Sequence, residues 1–304
     1  MPWAPARENW FLESPGRLLT VPSAVMLVFE KLCIIHRPVR PNTPLGLFSV
    51  YDGNVIGGAM VGLGMALSGA CPGTVLIQLV QGMPSAKAAA AGVFMGGVAY
   101  VQVTHAISKT SLSTQTAQPK PAQRTISEIW HLPSTIIYLA LGTAVAGIVF
   151  LTEAKSHGST TSPAVGGLLI GLAQAASLLL TAGPLGISSA YEDVGKYVLR
   201  ALGNENVERP KSSKSIIFTL GVLLGSTMLI RQPPLNGYVI VERRLSQWQA
   251  LFGGLVMGFG ARLGQGCTSG HGLSGLGALS FSSLVSVASM FATGILVQQS
   301  MSLF

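Results

Sequence analysis

Gly57-Gly58-Ala59-Met60-Val61-Gly62-Leu63-Gly64, with six residues more to Cys71, and Gly253-Gly254-Leu255-Val256-Met257-Gly258-Phe259-Gly260, with six residues more to Cys267, are one pattern written twice. The register holds without a gap: Gly58 precedes Cys71 by thirteen residues and Gly254 precedes Cys267 by thirteen. Glycines spaced this way on an apolar helix let backbones approach closely. A repeat that ends both times in a reactive residue sets two equivalent thiols about one pseudo-symmetry axis, a plan used by membrane proteins built from inverted repeats.

The rest of the chain agrees with a bilayer setting. Of 304 residues, 49% are hydrophobic and only 10% charged, against about 25% charged in soluble domains. Glycine, at 37 residues, is enriched as it is in multi-spanning helical proteins. The formal net charge of +8 does not indicate nucleic acid, because the basic residues are scattered among loops without aromatic interleaving. It suits anionic headgroups and an anionic solute. Three cysteines make no disulfide framework, and no Cys/His spacing suggests a metal site or any other cofactor.

Apolar runs at residues 55–70, 85–105, 133–152, 165–181, 216–230, 248–266 and 281–298 are expected to be helices in or across the membrane. The expected class is therefore all-α, a multi-pass transmembrane bundle with internal repeats and short broken or re-entrant helices. Residues 18–35 are interrupted by Pro22, Glu30 and Lys31 and make a poor span. Residues 191–200 are amphipathic and charged and are expected at an interface. The stretch 108–125, rich in Ser, Thr, Gln and Pro, reads as a solvated loop. The division that follows is a divergent segment 1–50, a first-half repeat 51–107 carrying Cys71, a linker 108–127, and second-half repeats 128–304 carrying Cys267. The basic residues of the 108–124 and 191–214 loops suggest that both are cytoplasmic.

Gly166-Gly167-x3-Gly171 is a third copy of the ladder, but thirteen residues after Gly167 stands Leu180. Helix packing alone would account for the paired glycines. It does not account for ladders that end in Ala70-Cys71-Pro72-Gly73 and Gly266-Cys267-Thr268-Ser269-Gly270-His271. A helix that stops and restarts there points backbone N–H groups at the thiol and favours an anion. The competing readings for Cys71 and Cys267 are an inert buried thiol or a disulfide between them. Cys33 has no ladder before it. Arg262, a charge within an apolar run, either faces a pathway, reaches an interface, or pairs with an acid such as Glu192 or Asp193. His271, in the same break, is either a donor to an anion or a solvated loop histidine.

Gly260-Ala-Arg-Leu-Gly-Gln-Gly-Cys-Thr-Ser-Gly-His-Gly272, with Ser68-Gly-Ala-Cys-Pro-Gly73 and Gly183-Pro-Leu-Gly-Ile-Ser188, resembles the YeeE/YedE family of sulfur-transport membrane proteins, from about residue 53 to the C-terminus. The resemblance implies an all-helical transporter with short intramembrane helices that takes up thiosulfate or a related sulfur compound past a line of cysteines. Cys71 and Cys267 match the family's second-repeat and last-repeat cysteines. Cys33 is the candidate, by position, for its N-terminal one, although residues 1–50 lack the ladder with which family members begin. The expected substrate path is Cys71, Cys267, Cys33, Arg262, His271, Gly73, Gly266 and Ser269. The expected protein is a transporter and not an enzyme, lies in the lipid bilayer of the cell membrane, and binds a small sulfur oxyanion; a partner protein from sulfur metabolism is left open. A membrane sulfurtransferase working through a cysteine persulfide is the alternative activity, and a non-transporting assembly factor is a third reading.

Overall fold

Every regular element in the computed structural model is helical, over its described residues 39–111, 122–153, 163–181, 186–204, 207–210, 212–231 and 245–301. In chain order these are α1 (Asp52–Ser68), α2 (Thr74–Val80), α3 (Pro84–Ser111), α4 (Ile126–Trp130), α5 (Ser134–Glu153), α6 (Pro163–Thr181), α7 (Ser188–Ala201), α8 (Lys214–Arg231), α9 (Gln247–Leu263), a π-helix (Thr268–Gly275) and α10 (Phe281–Met301). Two stretches, Pro84–Ala106 and Phe281–Met301, are long and apolar enough to cross a bilayer, and shorter apolar ones lie at Ser134–Ala144, Gly167–Leu179 and Lys214–Ile230. The outer faces carry Leu139, Leu169, Leu224 and Leu229, each more than 60% exposed. Water is a poor solvent for such faces and lipid a good one. The chain is a helical membrane protein.

The ladder glycines decide how the core closes. A Cβ built on Gly62 would lie 2.1 Å from the Met290 carbonyl oxygen, and one on Gly254 would lie 2.2 Å from that of Ala89. No side chain fits there, so α1 packs directly on the backbone of α10, and α9 on that of α3. Where α1 crosses α9 the contacts are reciprocal. A Cβ on Gly57 would meet Gly264 N at 2.4 Å and Gly260 O at 2.8 Å, and a Cβ on Gly253 would meet Ser68 N at 2.8 Å and Gly64 O at 2.9 Å. Gly253, Gly260 and Gly264 each stand 196 residues after Gly57, Gly64 and Ser68. Such a self-complementary contact is the mark of a two-fold relation, here between α1-α2-α3 and α9-π-helix-α10.

Both repeats break at the same place. Gly69 ends α1 in the left-handed region, φ 69°, and Gln265, 196 residues on, follows α9 with φ 60°. Glycine adopts that conformation without penalty, whereas a residue with a Cβ is strained there. After the break the first repeat restarts as the seven-residue α2 and the second as the eight-residue π-helix. A π-helix is a rare form that concentrates at functional sites.

Two features depart from the reading of the sequence. Helix α3 continues to Ser111, beyond the apolar run that ends near residue 105. The end of the linker is tied down: the Thr125 hydroxyl and Glu128 carboxylate form a capping box at the start of α4, and Thr125 pairs with Ser280 in an isolated bridge. The amphipathic helix α7 buries Tyr191, Gly195 and Leu199 and packs on α3, which carries its first turn to the breaks.

Candidate functional site

At the first break the sulfur of Cys71 lies in the turn that leads into α2, two residues before its N-cap Gly73. The Thr74 N–H donates to Cys71 Sγ at 3.4 Å while the Cys71 N–H donates to Thr74 Oγ1 at 2.8 Å. This reproduces the reciprocal geometry of a capping box, with sulfur where a hydroxyl oxygen is usual. The turn through Pro72 and Gly73 closes when the Val75 N–H reaches the Cys71 carbonyl at 3.0 Å. A Cβ on Gly73 would stand 3.3 Å from Ile187 Cδ1 and 3.8 Å from Cys71 Sγ, so the small residue keeps the sulfur's surroundings open.

At the second break Cys267 is the extended residue before the π-helix and is fully buried. Its Sγ lies 3.2 Å from the Ser269 hydroxyl, and the Ser188 hydroxyl and the N–H groups of Ser269 and Gly270 lie close enough to interact with it. Serine from α7 and the start of the π-helix thus meet at one sulfur. Both thiols are free, which removes the disulfide reading. Tyr191 joins the two. It is 2% exposed and shares a hydrophobic cluster with Cys267, against which Cys71 packs, and its hydroxyl donates to the Pro72 carbonyl at 2.5 Å.

His271 is neither solvated nor aimed at a cavity. Its Nδ1 lies 2.9 Å from Ser283 Oγ and its Nε2 2.9 Å from the Gly264 carbonyl, so both ring nitrogens are used in bracing the break against α10. The ring fills the space beside Gly266, where a Cβ would come within 2.6 Å of it. Gly266 is small for that reason.

Arg262 pairs with Glu192 of α7, one of the acids the sequence offered, and also lines a cavity. Glu192 is held from its other side by Lys196 at 2.5 Å. The cavity, of about 430 Å³, is lined by Arg40, Tyr100, Gly186, Ser188, Ser189, Glu192, Arg262 and Gln265. Ser188 faces both this space and the Cys267 sulfur, so the cavity abuts that thiol.

Arg40 is one of three residues of the site that sequence reasoning missed. Its Nη1 donates to the Gln265 carbonyl at 2.7 Å, holding the strained residue of the second break. Its own carbonyl accepts from Ser280 at 3.1 Å and Ser282 at 2.9 Å. Asp52 and Asn54 fix the loop that carries it, accepting from the N–H groups of Leu45, Leu47 and Thr43 at 2.6, 2.7 and 2.9 Å. The structure therefore gathers Cys71, Gly73, Cys267, Ser269, Gly266 and Arg262 at the two breaks and adds Arg40, Ser188 and Tyr191. Cys33 lies outside the described residues. Among the described residues no three His, Cys, Asp or Glu side chains come together as metal ligands would.

Broken helices related by a two-fold, thiols at the breaks and arginines beside them are the build of a membrane transport protein. The chain belongs to the sulphur transport family, which it matches over residues 7–296. A probable transporter of Xylella fastidiosa (strain Temecula1) is 34% identical over 139 residues, covering 44% of this chain and 88% of that protein. A second probable transporter, of Xylella fastidiosa (strain 9a5c), has the same identity and coverage, again 34% over 139 residues. A protein named thiosulfate transporter TsuA, of Spirochaeta thermophila, is 26% identical over 276 residues, covering 85% of this chain and 79% of its own.

Proposed function

We propose that the chain moves thiosulfate across the cell membrane along a path that passes Cys267 and Cys71. The observation that carries this reading is the convergence of both ladder-ending thiols on one cluster that includes Tyr191, with the Ser269 hydroxyl 3.2 Å from the Cys267 sulfur. The similarity to a protein named as a thiosulfate transporter supports the choice of anion. A thiol suits such a cargo because S–H is a weak donor and sulfur a weak acceptor. Weak contacts repeated along a path let an ion enter and also leave. Nothing in this mechanism alters the cysteines covalently.

The test is uptake of labelled thiosulfate into vesicles containing the purified protein, beside the Cys71→Ser and Cys267→Ser variants. Serine keeps a small hydrogen-bonding group and removes the soft sulfur, so each variant is expected to remain monodisperse and lose uptake by about tenfold or more, the loss of one well-placed contact. Uptake at the wild-type rate in both variants would remove the thiols from the path. A mass gain of one sulfur on either cysteine, with product formed in detergent where no compartments exist, would make the protein a sulfurtransferase instead.

A further inference from the structure

The two arginines of the cavity each keep a buried N–H without an acceptor: Arg40 Nε and Arg262 Nε have no hydrogen-bond partner. Both guanidinium groups line the cavity, and donor capacity left unspent beside it suits an acceptor group that bears charge. The surroundings specify it further. Arg40 spends Nη1 on the Gln265 carbonyl, while its Nη2 lies 3.1 Å from where a Cβ on Gly270 would be, so its free edge faces the turn that wraps Cys267. Ser188 and Ser189 open α7 onto the same space, and no side chain caps that helix's first turn, so its positive dipole end lies beside the cavity. Against two guanidinium groups the lining sets a single carboxylate, Glu192.

We propose that this cavity is a binding site for a tetrahedral oxyanion of charge −2, with the Arg40 and Arg262 guanidinium groups taking its oxygens and Glu192 serving as the counter-ion that the anion displaces from Arg262. Planar guanidinium forks match pairs of oxygens on such an ion. Displacement leaves no stranded carboxylate, because Lys196 already holds Glu192. The volume of about 430 Å³ far exceeds the ~30 Å³ that one water occupies, so the ion is held partly hydrated and can depart. The proposal deepens the transport reading and rests on it for what happens next: an anion held by its oxygens here presents itself beside Cys267. Charge and shape are read in this cavity, and the soft sulfur is read only at the thiol. Sulfate, which has the charge and the shape and lacks the terminal sulfur, is accordingly a ligand of this site.

The experiment is calorimetric titration of the full-length protein in detergent with sodium thiosulfate and, separately, sodium sulfate, together with vesicle uptake of labelled thiosulfate. Both anions are expected to bind, and sulfate to inhibit thiosulfate uptake competitively. Arg40→Lys keeps the cation and loses the fork, and is expected to weaken both anions about tenfold. Glu192→Gln, which leaves Arg40 and its anchoring untouched, frees Arg262 and is expected to tighten both by a similar factor. Failure of sulfate to bind, wild-type affinity in a folded Arg40→Lys variant, or unchanged or weaker binding in Glu192→Gln each overturns the site. Uptake that is intact and indifferent to Arg40→Lys overturns the site and leaves the transport reading standing. Arg40-dependent binding without any uptake does the reverse.

Discussion

In the inner helices an added methyl runs into main chain, 2.1 Å from the Met290 carbonyl oxygen at Gly62 and 2.1 Å from that of Leu251 at Gly92. At Gly142 and Gly147 of α5, and at Gly221 and Gly225 of α8, the same methyl meets nothing within 4 Å. One residue type thus does two things. In α1, α3 and α9 glycine sets the distance between backbones, including that of α10 where α1 meets it. In α5 and α8 it sets no distance to the rest of the chain. The difference locates rigidity: the scaffold of the site lies in four helices, and the outer ones lean on it through larger side chains such as Phe218 and Val222, which pack on the central cluster.

Substitutions can break this contrast. Gly62→Val, aimed at the tightest contact, is expected to destabilise by more than about 4 kcal/mol and yield no monodisperse protein in detergent, since neither backbone can retreat without parting the repeats. Tyr191→Phe keeps the ring in the cluster and takes the hydrogen bond from the Pro72 carbonyl. Leaving that acceptor unmet costs about 1–3 kcal/mol, read as a fall in the thermal unfolding midpoint, and loosens the turn between Cys71 and α2. Gly221→Ala is expected to stabilise by about 0.5–1 kcal/mol, the ordinary helix preference of alanine over glycine, read in the same melt. A destabilisation at Gly221 comparable to that at Gly62 would mean that another copy of the chain covers α8, and the contrast between inner and outer helices would fall.

The helical architecture and the repeat were legible because they are written in local spacing: glycines at fixed intervals, apolar runs of helix length, and breaks at Gly69 to Gly73 and Gly264 to Cys267 that no apolar pattern bridges. Arg40 was not legible. It sits outside any periodic segment, and what places it, the hydroxyls of Ser280 and Ser282, lies about 240 residues away. A hint was present in Asp52 and Asn54, two polar residues at the head of an apolar run, which turn out wholly buried and holding the Arg40 loop. Tyr191 was hidden by its helix: the charges of Glu192, Lys196 and Arg200 made α7 look peripheral, though its opposite face enters the core. Ser188 stood inside a motif that carried the family resemblance and drew no role, because a serine after glycine and proline reads first as a turn. His271 stands among glycines and serines and is open in the sequence to two readings, a donor to an anion or a solvated histidine; in the fold both ring nitrogens are taken, by Ser283 and Gly264. Those small neighbours are what let its ring fill the break.

The reciprocity of Gly57 with Gly260 and Gly264, and of Gly253 with Gly64 and Ser68, has a consequence for inheritance. Two separate copies meeting about a two-fold axis must carry every change at both crossings, so a residue that improves one break is imposed on the other. Joined in one chain, the crossings are released from that obligation. The left-handed turn is glycine at position 69 and glutamine at 265, where the carbonyl accepts from Arg40, a residue outside the ladder pattern. A symmetric frame therefore houses unequal doorways, and an ion crossing it would meet a different chemistry on each side of the axis.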